Sequence, residues 1–139
     1  CYHELDTNKA MGVDGVNKVN YGLNLTENIK ELVTKLKNMT YIPGTILEVK
    51  IPKEGKPGKY RTLGISNFED KICQKMMQKI LESIYEPIFY KCSYGFRAGI
   101  GCHDALRELR QHLDKNEVEN VLDIDLANFF CTIDRSILM

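Results

Sequence analysis

The chain has 139 residues, 43% of them apolar and 27% charged, and its 19 basic and 19 acidic side chains leave a formal net charge of zero. That is the make-up of one ordinary globular domain, which excludes a disordered or fibrous chain and denies it an overall positive field for nucleic acid. No apolar run approaches the ~18 residues of a membrane span, and no basic-then-apolar leader opens the sequence, so a cytoplasmic protein with no membrane partner is expected.

The five cysteines, at positions 1, 73, 92, 102 and 131, have wide gaps and no C-x-x-C. His3, His103 and His112 supply no H-x-x-x-H. This argues against a disulfide framework or a zinc site, and leaves reduced, mostly buried thiols as the expectation. The chain starts at Cys1 rather than Met and stops at "RSILM" without a turn or tail, so a piece of a longer protein is expected.

In chain order, "NKAMGVDGVN" (8–17) groups Gly12, Asp14 and Gly15 without periodicity and reads as loop and turn. "LNLTENIKELVTKLKNM" (23–39) repeats Ile29, Leu32, Val33 and Leu36 at helical spacing, with Asn24 and Glu27 placed as a capping box and Lys35 and Lys37 near the end. In "TILEVKIPKEGKPGKYRTLGI" (45–65) the period changes to two on either side of a Gly/Pro-rich segment, which predicts a β-hairpin with its tip at 53–59. Within 50–61 stand Lys50, Lys53, Lys56, Lys59 and Arg61 against Glu54 alone. Such a tip suits phosphates, because Arg forks two oxygens and Lys is a mobile point charge; it equally suits keeping edge strands soluble.

Ser66 and Glu69 form a second capping box, opening a helix to about Tyr85 that Pro87 closes. Ile72, Met76, Ile80 and Ile84 make its expected core stripe, with Cys73 and Met77 beside it, while Lys71, Lys75 and Lys79 make a basic row. "KCSYGFRAGIGCHDALRELRQHLDK" (91–115) begins as a Gly-punctuated loop and turns helical near Gly101 or Cys102, with Leu106, Leu109 and Leu113 on one face. "VENVLDIDL" (118–126) predicts a strand carrying Asp123 and Asp125 on the same surface. A strand-borne carboxylate is where a hard cation such as Mg²⁺ could be held for phosphoryl transfer. A solvated sheet surface accounts for D-x-D nearly as well.

Four motifs in order, "GVDGV", "IPKEGKPGKYRTLGISNFEDKICQ", "ILESIYEPIFYKCSYGFRAGIGCHDAL" and "LDIDLANFFCTIDRSIL", resemble the fingers and early palm of the reverse transcriptases encoded by group II introns, the intron maturase family. The resemblance runs from about residue 8 to the end. It implies an α+β fold, with a helical, hairpin-bearing fingers unit over 1–85 and the start of a palm over 86–139. By position, Asp125 matches the first catalytic, metal-binding aspartate, Leu126 would lend its carbonyl to a metal, and Phe130 matches the bulky ring that excludes a ribose 2′-OH. Asp123 would be peripheral. Lys53 and Arg61 would hold the nucleotide triphosphate, and Lys56, Lys59 and Arg97 would meet template RNA. For Tyr94 and Phe96, packing between fingers and palm is the favoured reading.

The implied cofactor is Mg²⁺, and the implied partners are group II intron RNA, an RNA template, a DNA primer and deoxynucleoside triphosphates. Ala98 and Ile100 stand where the family usually has Pro and Arg, Cys131 where it has Asp, and Arg135 where His is common. The family's Y-A-D-D hairpin has no counterpart here, so the chain alone is expected not to extend a primer. An RNA-binding splicing cofactor with polymerisation secondary or lost is the alternative, and a homodimer through an open 118–126 edge is a further expectation.

Overall fold

The computed structural model describes residues 1–115, 118–127 and 129–138. The chain forms two compact units, Cys1–Ile88 and Phe89–Met139. The first opens with a 3₁₀ turn at Tyr2–Glu4 and continues with α1 (Lys18–Gly22), α2 (Leu25–Lys37), β1 (Leu47–Pro52), β2 (Tyr60–Ile65), α3 (Phe68–Tyr85) and a closing 3₁₀ turn at Glu86–Ile88. Helices with a two-stranded antiparallel sheet make the expected α+β fold.

Local chemistry explains where the helices start. Asn17 is extended, and its side chain accepts a hydrogen bond from the Asn20 amide at 2.8 Å, so α1 begins there. The capping box expected at Asn24 and Glu27 is not made: Leu23 is still helical, which leaves Asn24 at φ −122°, ψ 40°, outside the extended geometry a capping side chain needs. Glu27 turns instead to Lys30 at 3.4 Å. The second box also shifts. α3 is preceded by Asn67 rather than Ser66, and the Ser66 hydroxyl accepts from the Gln74 amide at 3.0 Å.

Tyr21, Leu32, Phe68 and Ile72 form the core, with Tyr2, Leu5, Ile29, Leu36 and Tyr41 packed around them. The rings of Tyr21 and Phe68 lie 5.1 Å apart, and Tyr2 meets Phe68 edge-on at 6.0 Å, a favoured aromatic arrangement. Leu32 is the most enclosed of the four at 3% exposure. Leu32→Ala is therefore expected to destabilise the unit by about 2–5 kcal/mol, measured by chemical denaturation. The N-terminal segment is tied to α3 by an ion pair between Glu4 and Lys79. The hydrogen bond from Lys79 holds the Glu4 carboxyl below its usual range, so this tie is present at neutral pH and is lost as pH falls through that lowered value.

Only the first turns of α3 are covered. Ile72 is buried, but Ile80 and Ile84 are half exposed or more, at 50% and 56%, so the core stripe expected along the whole helix is confined to its N-terminal end. The reason is length: 18 residues extend about 27 Å, well beyond the short α1–α2 layer. The basic row is also occupied. Lys71 reaches the Ala10 carbonyl, Lys75 the side chain of Gln78, and Lys79 pairs with Glu4.

The second unit contains a loop over 89–101, α4 (Cys102–Lys115), α5 (Phe129–Thr132) and α6 (Arg135–Leu138). Leu106, Leu109 and Leu113 share the predicted helix but all remain exposed. The strand expected at 118–126 does not form, and among the described residues the hairpin is the one sheet. A strand exists only when a neighbour takes up its amides and carbonyls, and no such neighbour lies beside this segment among those residues. Consequently the alternation of its side chains selects no buried face, and Val121 and Leu122, which would point opposite ways in a strand, are both exposed. The thiols of Cys1, Cys73, Cys92 and Cys102 are free, and of these four only Cys73 is partly buried while the other three are exposed, so the expectation of mostly buried thiols does not hold for them.

Candidate functional site

The hairpin is the best-defined candidate. Its register pairs Leu47 with Ile65 through Pro52 with Tyr60, leaving 53–59 as the predicted tip. Two consecutive turns build that tip. The Lys56 amide donates to the Lys53 carbonyl at 3.2 Å, the Lys59 amide to the Lys56 carbonyl at 3.1 Å, and the Lys53 amide closes the pair onto the Lys59 carbonyl at 2.8 Å. Gly55 and Gly58 occupy the third position of each turn with φ of 68° and 76°, a conformation that favours glycine, and Pro57 presets the second turn. The K-x-G-K-P-G-K spacing thus puts Lys53, Lys56 and Lys59 at successive corners. Together with Arg61 on β2 they are exposed, and none forms an ion pair with a carboxylate among the described residues.

In the second unit, Arg97 is turned into its own loop. Its guanidinium donates to the carbonyls of Ser93 at 2.8 Å and Tyr90 at 3.2 Å, and lies 5.4 Å from the centre of the Phe89 ring. Those contacts hold the loop together, a role the sequence reading did not assign. Phe96 sits beside it in the left-handed region at φ 58° with its ring fully exposed. Tyr94 is engaged: its hydroxyl donates to the Glu108 carboxylate, which pushes the phenol up to about 12. An open cleft of about 510 Å³ lies between this loop and α4, lined by Tyr94, Asp104, Arg107, Glu108 and Gln111. Asp104 there caps the helix by accepting from the Gly101 amide at 2.9 Å and pairs with Arg107.

Asp125 and Leu126 lie in the irregular segment before α5, both exposed, and Phe130 is a largely exposed ring on α5 set edge-to-face on Phe129 at 5.3 Å. Asp123 is exposed as well. Among the described residues, no three His, Cys, Asp or Glu side chains gather in a metal-binding group. The chemistry of Asp125 still fits Mg²⁺, a hard cation that takes one or two carboxylates and completes its shell with water and phosphate oxygens. The side chains of Cys131 and Arg135, where the sequence departs from the family's usual residues, lie outside those described.

The feature missed by sequence reading is Asp70. It is buried in the first turn of α3, accepts the Tyr41 hydroxyl, and faces the Gly44 amide with both oxygens at 3.1 and 3.3 Å. The available signal was its place between Phe68 and Ile72, which brings an acid onto the packed end of the helix. No described helix is long and apolar enough to cross a membrane.

Residues 51–139 match the family model described as "Reverse transcriptase (RNA-dependent DNA polymerase)". Protein YkfC of Escherichia coli (strain K12) is 37% identical over 131 residues, covering 92% of this chain and 34% of that protein. Group II intron-encoded protein LtrA of Lactococcus lactis subsp. cremoris is 37% identical over 111 residues, covering 80% of this chain and 18% of that protein. The chain therefore spans about a third of one relative's length and less than a fifth of the other's. These matches bear out the resemblance to group II intron reverse transcriptases drawn from the motifs.

Proposed function

The chain belongs to the reverse transcriptase (RNA-dependent DNA polymerase) family, and we propose that it supplies the fingers, over 1–85, and the opening of the palm, over 86–139, of a group II intron-encoded polymerase. The whole protein adds deoxynucleotides to a primer on an RNA template and assists the splicing of its intron RNA. The observation that carries this reading is the hairpin tip, where cations uncompensated by any described carboxylate stand at corners fixed by backbone hydrogen bonds, inside the segment matched by the family model.

Each residue then has a task set by its chemistry. Lys53 and Arg61 hold the triphosphate of the incoming nucleotide, the arginine through paired hydrogen bonds and the lysine as a point charge. Lys56 and Lys59 meet the phosphates of the template. Arg97 acts on the same strand through the loop it holds in shape. Asp125 and the Leu126 carbonyl would hold Mg²⁺, which when bound would neutralise charge that builds on the reacting oxygens. Phe130 fills the space a ribose 2′-OH would need.

Primer extension on an RNA template by the full-length protein, with deoxynucleotides and Mg²⁺, tests the proposal. A full-length protein that binds the template but makes no DNA would leave the splicing-cofactor reading in its place.

A further inference from the structure

The hairpin leaves and rejoins the helical part of its unit at two nearby points, Gly44 before β1 and Asn67 after β2. Little apolar packing holds it there, since Ile51 and Ile65 are the only strand residues even partly buried. Polar contacts join the two points. Asp70, 7% exposed, accepts the Tyr41 hydroxyl and receives the Gly44 amide on the incoming leg. Gly44 presses so closely on the start of α3 that a Cβ there would lie 2.2 Å from the Asn67 side-chain nitrogen. On the outgoing leg, the Asn67 side-chain oxygen accepts the Asp14 amide at 3.4 Å, and Gly12 comes close enough that its Cβ would fall 2.4 Å from that oxygen. Among the described residues, no buried side-chain polar atom is left without a partner.

We infer that Asp70 is a positioning residue, a buried carboxylate that clamps the base of the hairpin to α3 and so sets where the lysine-bearing tip is presented to nucleic acid. The carboxylate suits the task because it only accepts, and both neighbours, the Tyr41 hydroxyl and the Gly44 amide, donate. Burial, followed by the contact with Asp70, pushes the Tyr41 phenol well above its usual range, so that hydroxyl keeps its proton throughout the physiological range. The effect on RNA rests on the reading of the tip as a phosphate grip; the mechanical role does not.

The test uses the 139-residue chain with Asp70→Asn, Tyr41→Phe and, separately, Lys53, Lys56 and Lys59 all changed to Ala. Residual dipolar couplings report how firmly the hairpin follows α3, and fluorescence anisotropy with a single-stranded RNA oligonucleotide reports binding at several salt concentrations. In both clamp variants the hairpin's couplings are expected to be scaled down relative to those of α3, while its internal ladder persists. RNA affinity should fall about three- to tenfold with an unchanged salt slope, because the lysines remain but are misplaced. The sign is diagnostic. Removing a negative charge would by electrostatics alone strengthen RNA binding, whereas a lost clamp weakens it.

Tyr41→Phe leaves the charge and the packing in place, and it decides the matter if Asp70→Asn does not fold. Unchanged couplings in a folded clamp variant would overturn the inference. So would undiminished RNA affinity there if the lysine variant does weaken binding. Reduced couplings with RNA affinity insensitive to all the variants would instead uphold the clamp and remove the phosphate-grip reading.

Discussion

Asp125→Ala in the full-length protein is expected to lower RNA-templated primer extension by at least about a thousandfold, the rate equivalent of several kcal/mol of lost charge stabilisation at a metal site. RNA affinity should stay within about twofold, because the lost interaction acts on the reacting phosphate and not on strand binding. The exposed position of Asp125 makes the experiment clean, since a surface substitution of this kind ordinarily changes stability by no more than about 0.5 kcal/mol. Asp125→Asn should lose nearly as much, as the amide keeps the shape but not the charge that would hold Mg²⁺. Equal losses of synthesis and of RNA binding would mark the residue as structural. The 139-residue chain by itself is expected to make no product in the same assay.

The second large effect belongs to the hairpin. With Lys53, Lys56 and Lys59 replaced by alanine, RNA binding should weaken about tenfold or more at low salt, and the logarithmic salt slope should become shallower by about 1.4, the 0.7 per contact expected for a single strand at each of the two template contacts, Lys56 and Lys59. Folding should be unaffected, because these side chains are exposed and the turns are closed by backbone bonds and glycines rather than by the lysines. An unchanged slope would remove the tip from the interface. The same variant separates the two functional readings: a polymerase that grips its nucleotide here also loses efficiency with respect to deoxynucleotide, whereas a splicing cofactor loses only its hold on RNA.

The parts of the fold that were legible in advance are those with short-range causes. A Gly/Pro-rich segment between period-two runs located the hairpin, and helical spacing located α2, α3 and α4 to within a residue or two. Burial was less legible. Periodicity shows which face of a helix is apolar, but not how far a neighbour extends along it, so Ile80 and Ile84 looked as central as Ile72. The caps failed for a related reason, since whether Asn24 or Ser66 can cap depends on the backbone entering the helix, and at Asn24 that backbone was already helical.

The segment 118–126 illustrates the sharpest limit. Alternating side chains state a preference for a sheet, but the ladder itself must come from another segment, and none is adjacent among the described residues. For the candidate site, the charges at the tip were readable because they are consecutive in sequence. Asp70 was not, because its partners lie 26 and 29 residues away and its function is defined entirely by them.

The two closed turns at the hairpin tip also affect how the chain meets any charged matrix. A molecule whose charges sum to zero near neutral pH would be expected to pass a cation-exchange column in the flow-through, but adsorption responds to the local field over roughly a Debye length, about 10 Å at moderate salt, rather than to the sum. Three lysines set at the corners of successive turns form such a field, so retention on a sulfonate or phosphate resin is expected to follow the geometry of those seven residues rather than the isoelectric point.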